Sequence, residues 1–128
     1  MGGERAIRIE ADGVRLYAIL ADTPVADALW EALPLEGRTR LVPGAVTFTA
    51  AIACDPRLPP RTEAKSGELG FRPEGPTVLL FHAPPVPGVP PEPVPTDPVH
   101  IFGRITGDAS RLARVKDQVK VKLTALEG

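Results

Sequence analysis

Arg40 is the side chain with the most chemistry to offer. A guanidinium stays charged at any ordinary pH and holds its donors in a fixed fork. Beside aromatic side chains it suits a peptide or a small carboxylate. Arg40 with Phe48, Phe71 or Phe81 is the best such group in the chain. The plainer alternative is an arginine on the surface and phenylalanines in the core, because a small domain with only 4 Phe needs them inside. His82 and His100 come second. They bracket "HAPPVPGVPPEPVPTDPVH", which holds half of the chain's 16 prolines. If the runs on either side pair antiparallel, the two imidazoles lie close together at the base of a loop. With Asp97, Glu92 or Cys54 they would then approach a zinc set. Their spacing fits no zinc signature, so neither a metal nor another cofactor is expected, and two ordinary imidazoles at a loop edge are the competing reading. The proline segment also offers P-x-x-P frames, such as Pro84 to Pro87 and Pro90 to Pro93, of the kind that aromatic grooves bind.

Other catalytic plans lack parts. Ser66 and Ser110 sit in no nucleophile elbow. "GELG" lacks the Lys and Ser/Thr of a phosphate loop, and "GDASRL" is a helix start.

Short strands must position these groups. "AIRIE" (6–10) and "VRLYAIL" (14–20) alternate around Asp12-Gly13 and predict a β-hairpin. Thr23 and Pro24 open a helix with Val25, Leu29 and Leu33 on one face, and Pro34 ends it. "TRLV" (39–42) and "AVTFTAAI" (45–52) flank Pro43-Gly44 as a second strand pair. Residues 53–66 read as an irregular crossing. "GELGF" (67–71) is a short strand or turn, and "TVLLFH" (77–82) is an apolar run fit to be buried on both faces. "VHIFGRI" (99–105) and "QVKVKLTAL" (118–126) are strands, with a short helical turn capped by Asp108 between them. As an interdomain linker the proline segment would leave only residues 101–128 to follow, too few for a stable unit. It is expected to be a loop, 83–98, inside one domain spanning 1–128, with "TVLLFH" and "VHIFGRI" as neighbouring strands.

Composition bounds the classes. Fifteen basic and sixteen acidic side chains give a net charge of -1, which argues against non-specific phosphate binding and hence against nucleic acid. Hydrophobic content of 43% with mean hydropathy near zero fits a soluble globular protein. No apolar run approaches the roughly 20 residues that span a bilayer, so no membrane association is expected. The opening residues do not resemble a signal peptide. One cysteine suits a reducing compartment, and a cytoplasmic location follows. Absent asparagine and prolines gathered in loops are traits of heat-tolerant proteins.

The run "GELGFRPEG…VLLFHAPP…VHIFGRITGDASRLARVK…VKVKL" resembles the cyclophilin-like family of small bacterial and archaeal proteins of unknown function. Gly67 to Phe71, the turn at Pro73 and Gly75, Leu79 to Phe81, and Phe102 to Ile105 carry the likeness, which covers residues 6 to 123. The resemblance implies a mainly β fold: a closed cyclophilin-like β-barrel of about eight strands with one helix and a short helical turn. It implies no established activity, and neither His82 nor His100 belongs to its pattern. "RLVPG" at Arg40 to Gly44 is similar to the catalytic strand of the true cyclophilins, the peptidyl-prolyl isomerases, with Phe48 standing where their glutamine is expected. Isomerisation needs an apolar pocket and a donor that disfavours amide resonance, a role Arg40 would take.

The leading expectation is therefore a small-ligand or peptide-binding module. Its cleft would lie beside residues 38–52 and 77–82, formed by Arg40, Phe48, Phe71, Phe81, His82 and His100 under a proline-rich flap. A weak prolyl isomerase using Arg40 is the alternative. An interaction protein that presents the proline loop, or a homo-oligomer built through a sheet edge, is the third.

Overall fold

The computed structural model describes residues 5–42, 44–55, 57–82 and 94–126, with 94–97 described by backbone alone. Period-two alternation at the start produces the expected hairpin. β1 (Ala6–Ala11) pairs antiparallel with β2 (Val14–Leu20), and Ile7, Ile9, Leu16 and Ala18 turn into the core. Asp12 and Gly13 take φ of 50° and 79°, the left-handed pair that a two-residue hairpin turn requires. α1 (Pro24–Ala32) is capped by Thr23, whose Oγ1 accepts the Ala26 N–H at 3.1 Å. It buries Val25, Ala26 and Leu29 against the sheet, and Trp30 packs half-buried beside them.

The remaining strands are β3 (Leu35–Arg38), β4 (Arg40–Val42), β5 (Ala45–Thr49), β6 (Arg61–Ala64), β7 (Glu68–Arg72), β8 (Thr77–Phe81), β9 (Val94–Ile105) and β10 (Lys120–Ala125). A 3-10 helix at Ala109–Arg114, capped by Asp108, precedes β10. All pairings are antiparallel, in the order β3-β10-β1-β2-β9-β7-β8-β5-β4, and β6 pairs with β9 off that path. The fold is mainly β, as expected, with ten strands rather than eight. The hydrogen-bonded order is open, so the ladders by themselves do not make the expected closed barrel. Its two end strands, β3 and β4, are nevertheless consecutive in the chain, separated only by Thr39.

Three expectations change here. "TVLLFH" and "VHIFGRI" share a sheet but are not neighbours, because β7 lies between them and pairs with both. The turn at 73–76 makes β7 and β8 a local hairpin, and closing a short loop costs less entropy than closing the long proline excursion. The excursion is also shorter than 83–98: residues 94–98 already belong to β9 and pair with β6, where the register breaks between Arg61 and Glu63. Proline has no N–H to donate, and such an irregular two-strand ladder is where a sheet tolerates it. Finally, 53–66 is not wholly irregular, since it contains β6. The P-x-x-P frames and Glu92 lie outside the described residues, as do the side chain of Asp97 and residue Pro43.

β8 explains why its run is continuously apolar. Val78 and Leu80 enter the main core with Phe48, Phe71 and Phe102. Leu79 and Phe81 point the other way, into a second cluster with Ala45, Ala64 and Val99. The expected burial on both faces is observed. Gly70 of β7 makes room for the second cluster: a Cβ there would stand 2.5 Å from Val99 Cγ2 and 3.0 Å from Phe81 Cε2.

Candidate functional site at the β3–β4 seam

Thr39 separates β3, which pairs with β10, from β4, which pairs with β5. It is fully buried, and a buried polar residue persists only when its groups are paired. Its N–H donates to Val119 O at 2.8 Å, and its carbonyl accepts the Gln118 N–H at 2.8 Å. Its hydroxyl donates to Lys116 O at 2.6 Å and accepts the Val119 N–H at 3.0 Å. Asp117 extends the clamp by accepting the Leu41 N–H at 3.0 Å. The segment 116–119 is thus fastened to 39–41, and Gln118 is held at φ 62°, a conformation uncommon outside glycine.

Residues two apart along an extended chain share a face, so the seam carries Arg38 and Arg40 out on one side while Thr39 goes in. Both arginines are exposed. They line a cleft of about 330 Å³ together with Thr47, Phe48, Thr49, Thr77 and Gln118. Arg38 Nη1 donates to the Gln118 carbonyl at 3.2 Å. Thr47 Oγ1, directly across from Arg40 on β5, donates to the Arg40 carbonyl at 3.0 Å and steadies that strand. The Arg40 guanidinium has no hydrogen-bond or ion-pair partner among the described residues. No carboxylate lines the cleft. Chemically, this is a set of cationic and neutral donors around one opening.

Of the six candidate residues, Arg40 and Phe48 meet at this cleft, with Phe48 only 1% exposed. Phe71 is in the main core and Phe81 in the second cluster, and neither lines the cleft. The two histidines are apart. His100 stands opposite Phe71, Phe71 stands opposite Val78, and His82 lies four residues beyond Val78. Two strand spacings and four residue rises separate them by roughly 17 Å. The His82 N–H donates to Gly44 O at 2.9 Å. His100 lines a different, mainly apolar cleft of about 330 Å³ with Val25, Leu58, Pro59, Arg61 and Ile101. Arg61 there is engaged by both Glu68 oxygens at 3.0 Å. Among the described residues no three His, Cys, Asp or Glu side chains are grouped to hold a metal ion. Cys54 Sγ donates to Pro24 O at 3.6 Å, and burial, with Asp55 nearby, pushes its thiol pKa up. That favours the unreactive protonated form.

Arg38, Thr47, Thr49 and Thr77 fall within the residues 38–52 and 77–82 expected to flank the cleft without being singled out, and Gln118 falls outside them. The "RTR" spacing was a usable signal for Arg38. Nothing local announced Gln118, which reaches the cleft only because a distant threonine fixes its turn.

No helix among the described residues is long and apolar enough to cross a membrane. No curated protein matches the chain. The solution structure of the hypothetical protein AF2241 from Archaeoglobus fulgidus superposes with a TM-score of 0.77 at 20% identity, covering 98% of each chain. At that identity the likeness speaks for the fold alone. The sequence profile described as Cyclophilin-like matches residues 5–124, nearly the whole length and every strand that builds the seam, and on that match the chain belongs to the cyclophilin-like family.

Proposed function

We propose that the protein is a ligand-binding module whose seam cleft takes a small anionic molecule or the carboxylate of a peptide. The observation that carries this reading is the Arg40 guanidinium, exposed beside Arg38 in a cleft without a carboxylate and without a partner among the described residues. An exposed arginine is ordinarily well served by water. Two arginines converging on a concave opening repel each other, and an anion between them relieves that repulsion.

The alternative, a prolyl isomerase, needs an aromatic or apolar pocket next to the guanidinium. All four phenylalanines are committed to the cores, at 0 to 7% exposure, and the cleft is walled mainly by polar groups. This weighs for binding over catalysis. Closure of the sheet is a related proposal, supported by the approach of β3 to β5: a Cβ on Gly37 would lie 2.9 Å from Phe48 Cδ2 and 3.1 Å from Thr49 O.

Calorimetric titration with short carboxylic acids and with a peptide bearing a free C-terminus tests the reading. Binding weakened about tenfold or more in Arg40→Ala is expected, because charged hydrogen bonds contribute about 1.5–3 kcal/mol. Binding unchanged by that substitution would reject the site. Turnover of a proline-containing peptide that vanishes in the same variant would favour the isomerase.

A further inference from the structure

The charge around the seam exceeds what a simple carboxylate can balance. Arg38 stands directly opposite Lys120, and Lys122 lies opposite Glu36 on the same sheet face. The carboxylates of Glu36 and Asp117 beside the cleft are engaged, and Lys122 also stands opposite Glu10 of β1. Glu36 is shared between Lys120 at 3.5 Å and Lys122 at 3.9 Å. Asp117 is bound to the Leu41 backbone N–H. The cleft lining itself holds Arg38 and Arg40 and no carboxylate, a surplus of two positive charges, while Lys120 and Lys122 line the neighbouring opening with Glu10 and Asp12.

We propose that the seam cleft holds the dianionic phosphate group of a phosphorylated small molecule. The proposal rests on the anion-binding reading above and narrows it to one ligand class. A monocarboxylate would leave one guanidinium uncompensated, whereas a dianion neutralises both. The donor set also suits a tetrahedral group. A carboxylate is planar and presents two oxygens, which the Arg40 fork alone can satisfy. A phosphate monoester presents three acceptor oxygens. Arg38, Thr49 and Gln118 line the same opening, and the remaining nitrogens of Arg38, the Thr49 hydroxyl and the Gln118 carboxamide are the further donors these residues have to offer. The cleft volume, about 330 Å³, lies at the lower end of the roughly 300–1,000 Å³ of small-molecule sites. It therefore has room for the organic part of a phosphorylated metabolite as well as its phosphate.

The lining makes the idea easy to test. Arginine, threonine, phenylalanine and glutamine do not titrate between pH 5 and 8. The flanking charged groups are Glu36, Glu74, Asp117, Lys116, Lys120 and Lys122, with no histidine among them. A phosphate monoester passes from monoanion to dianion with a pKa of about 6. Over that window a pH-dependent affinity reports the ligand's second charge.

Calorimetry with glycerol phosphate and with glycerate, at pH 5 and pH 7.5, separates the cases. Glycerol phosphate is expected to bind more tightly than glycerate at pH 7.5 and to weaken about tenfold at pH 5, while glycerate changes little. Arg38→Gln and Arg40→Gln should each weaken glycerol phosphate about tenfold or more and flatten its pH dependence. Thr49→Val, at an exposed position that leaves the fold intact, should weaken glycerol phosphate and spare glycerate. Equal affinity for the two probes with no pH dependence overturns the phosphate assignment and leaves the anion site standing. Binding of neither probe at millimolar concentration overturns both.

Discussion

Thr39 does its work through four hydrogen bonds and no exposed surface. Thr39→Val preserves the shape but strands the Lys116 carbonyl and the Val119 N–H. Each buried polar group left unpaired costs about 1–3 kcal/mol. A loss of about 2–3 kcal/mol is therefore expected, seen as a lower urea midpoint with an unchanged slope. Asp108 gives a second test at this scale. Its carboxylate accepts from the Ser110 hydroxyl and N–H, which hold its pKa below the usual 3.8. A folded-state pKa below the unfolded value means the stabilisation is present above the unfolded value and fades as pH falls through the folded one. Asp108→Ala should thus destabilise at neutral pH, and the gap to the parent chain, followed by melting temperature, should narrow as pH falls below 3.8. Arg40 was legible in the sequence as a candidate binding cation, and it is exposed at the cleft. Gln118 was not, because its placement depends on a partner 79 residues earlier in the chain, Thr39, whose carbonyl receives its N–H.

Elements explain what single residues do not. β8 is apolar from Val78 to Phe81 because alternate side chains serve two clusters, and a sequence run of that kind can be recognised as doubly buried before any neighbour is known. Its neighbours could not be recognised. Alternation says which face a residue takes and nothing about the order of strands, so it does not announce that β7 lies between β8 and β9. β6 goes unannounced for another reason: three of its four residues are exposed, which leaves "RTEA" without an apolar signature. Gly70 is where this arrangement can be stressed. Gly70→Ala forces a methyl against Val99 and Phe81, and overpacking costs about 1–3 kcal/mol. Chemical denaturation should show that loss. Proton shifts concentrated on Phe81 and Val99, rather than on the Phe48 side, would confirm that the second cluster is what yields.

At the scale of the whole molecule, the family and its mainly β character were legible because glycines, turns and alternating strands are written locally. The path of the sheet was not, since it is settled by pairings distant in sequence, such as β1 with β10 and β2 with β9. One consequence concerns where the chain can be cut. The Leu126 N–H donates to Ala6 O at 2.9 Å, so a short linker can join residues 5 and 126 into a circle. Reopening that circle at Gly13, whose absent Cβ would meet nothing within 4 Å, severs only a hairpin tip, and a cooperative unfolding transition close to the parent's is expected. Reopening it at Thr39 instead frees the first and last strands of the order from each other, and that permutant should unfold at markedly lower urea. Because the two arginines would then ride on separate chain ends, it should also lose the proposed affinity for anions even where it still folds.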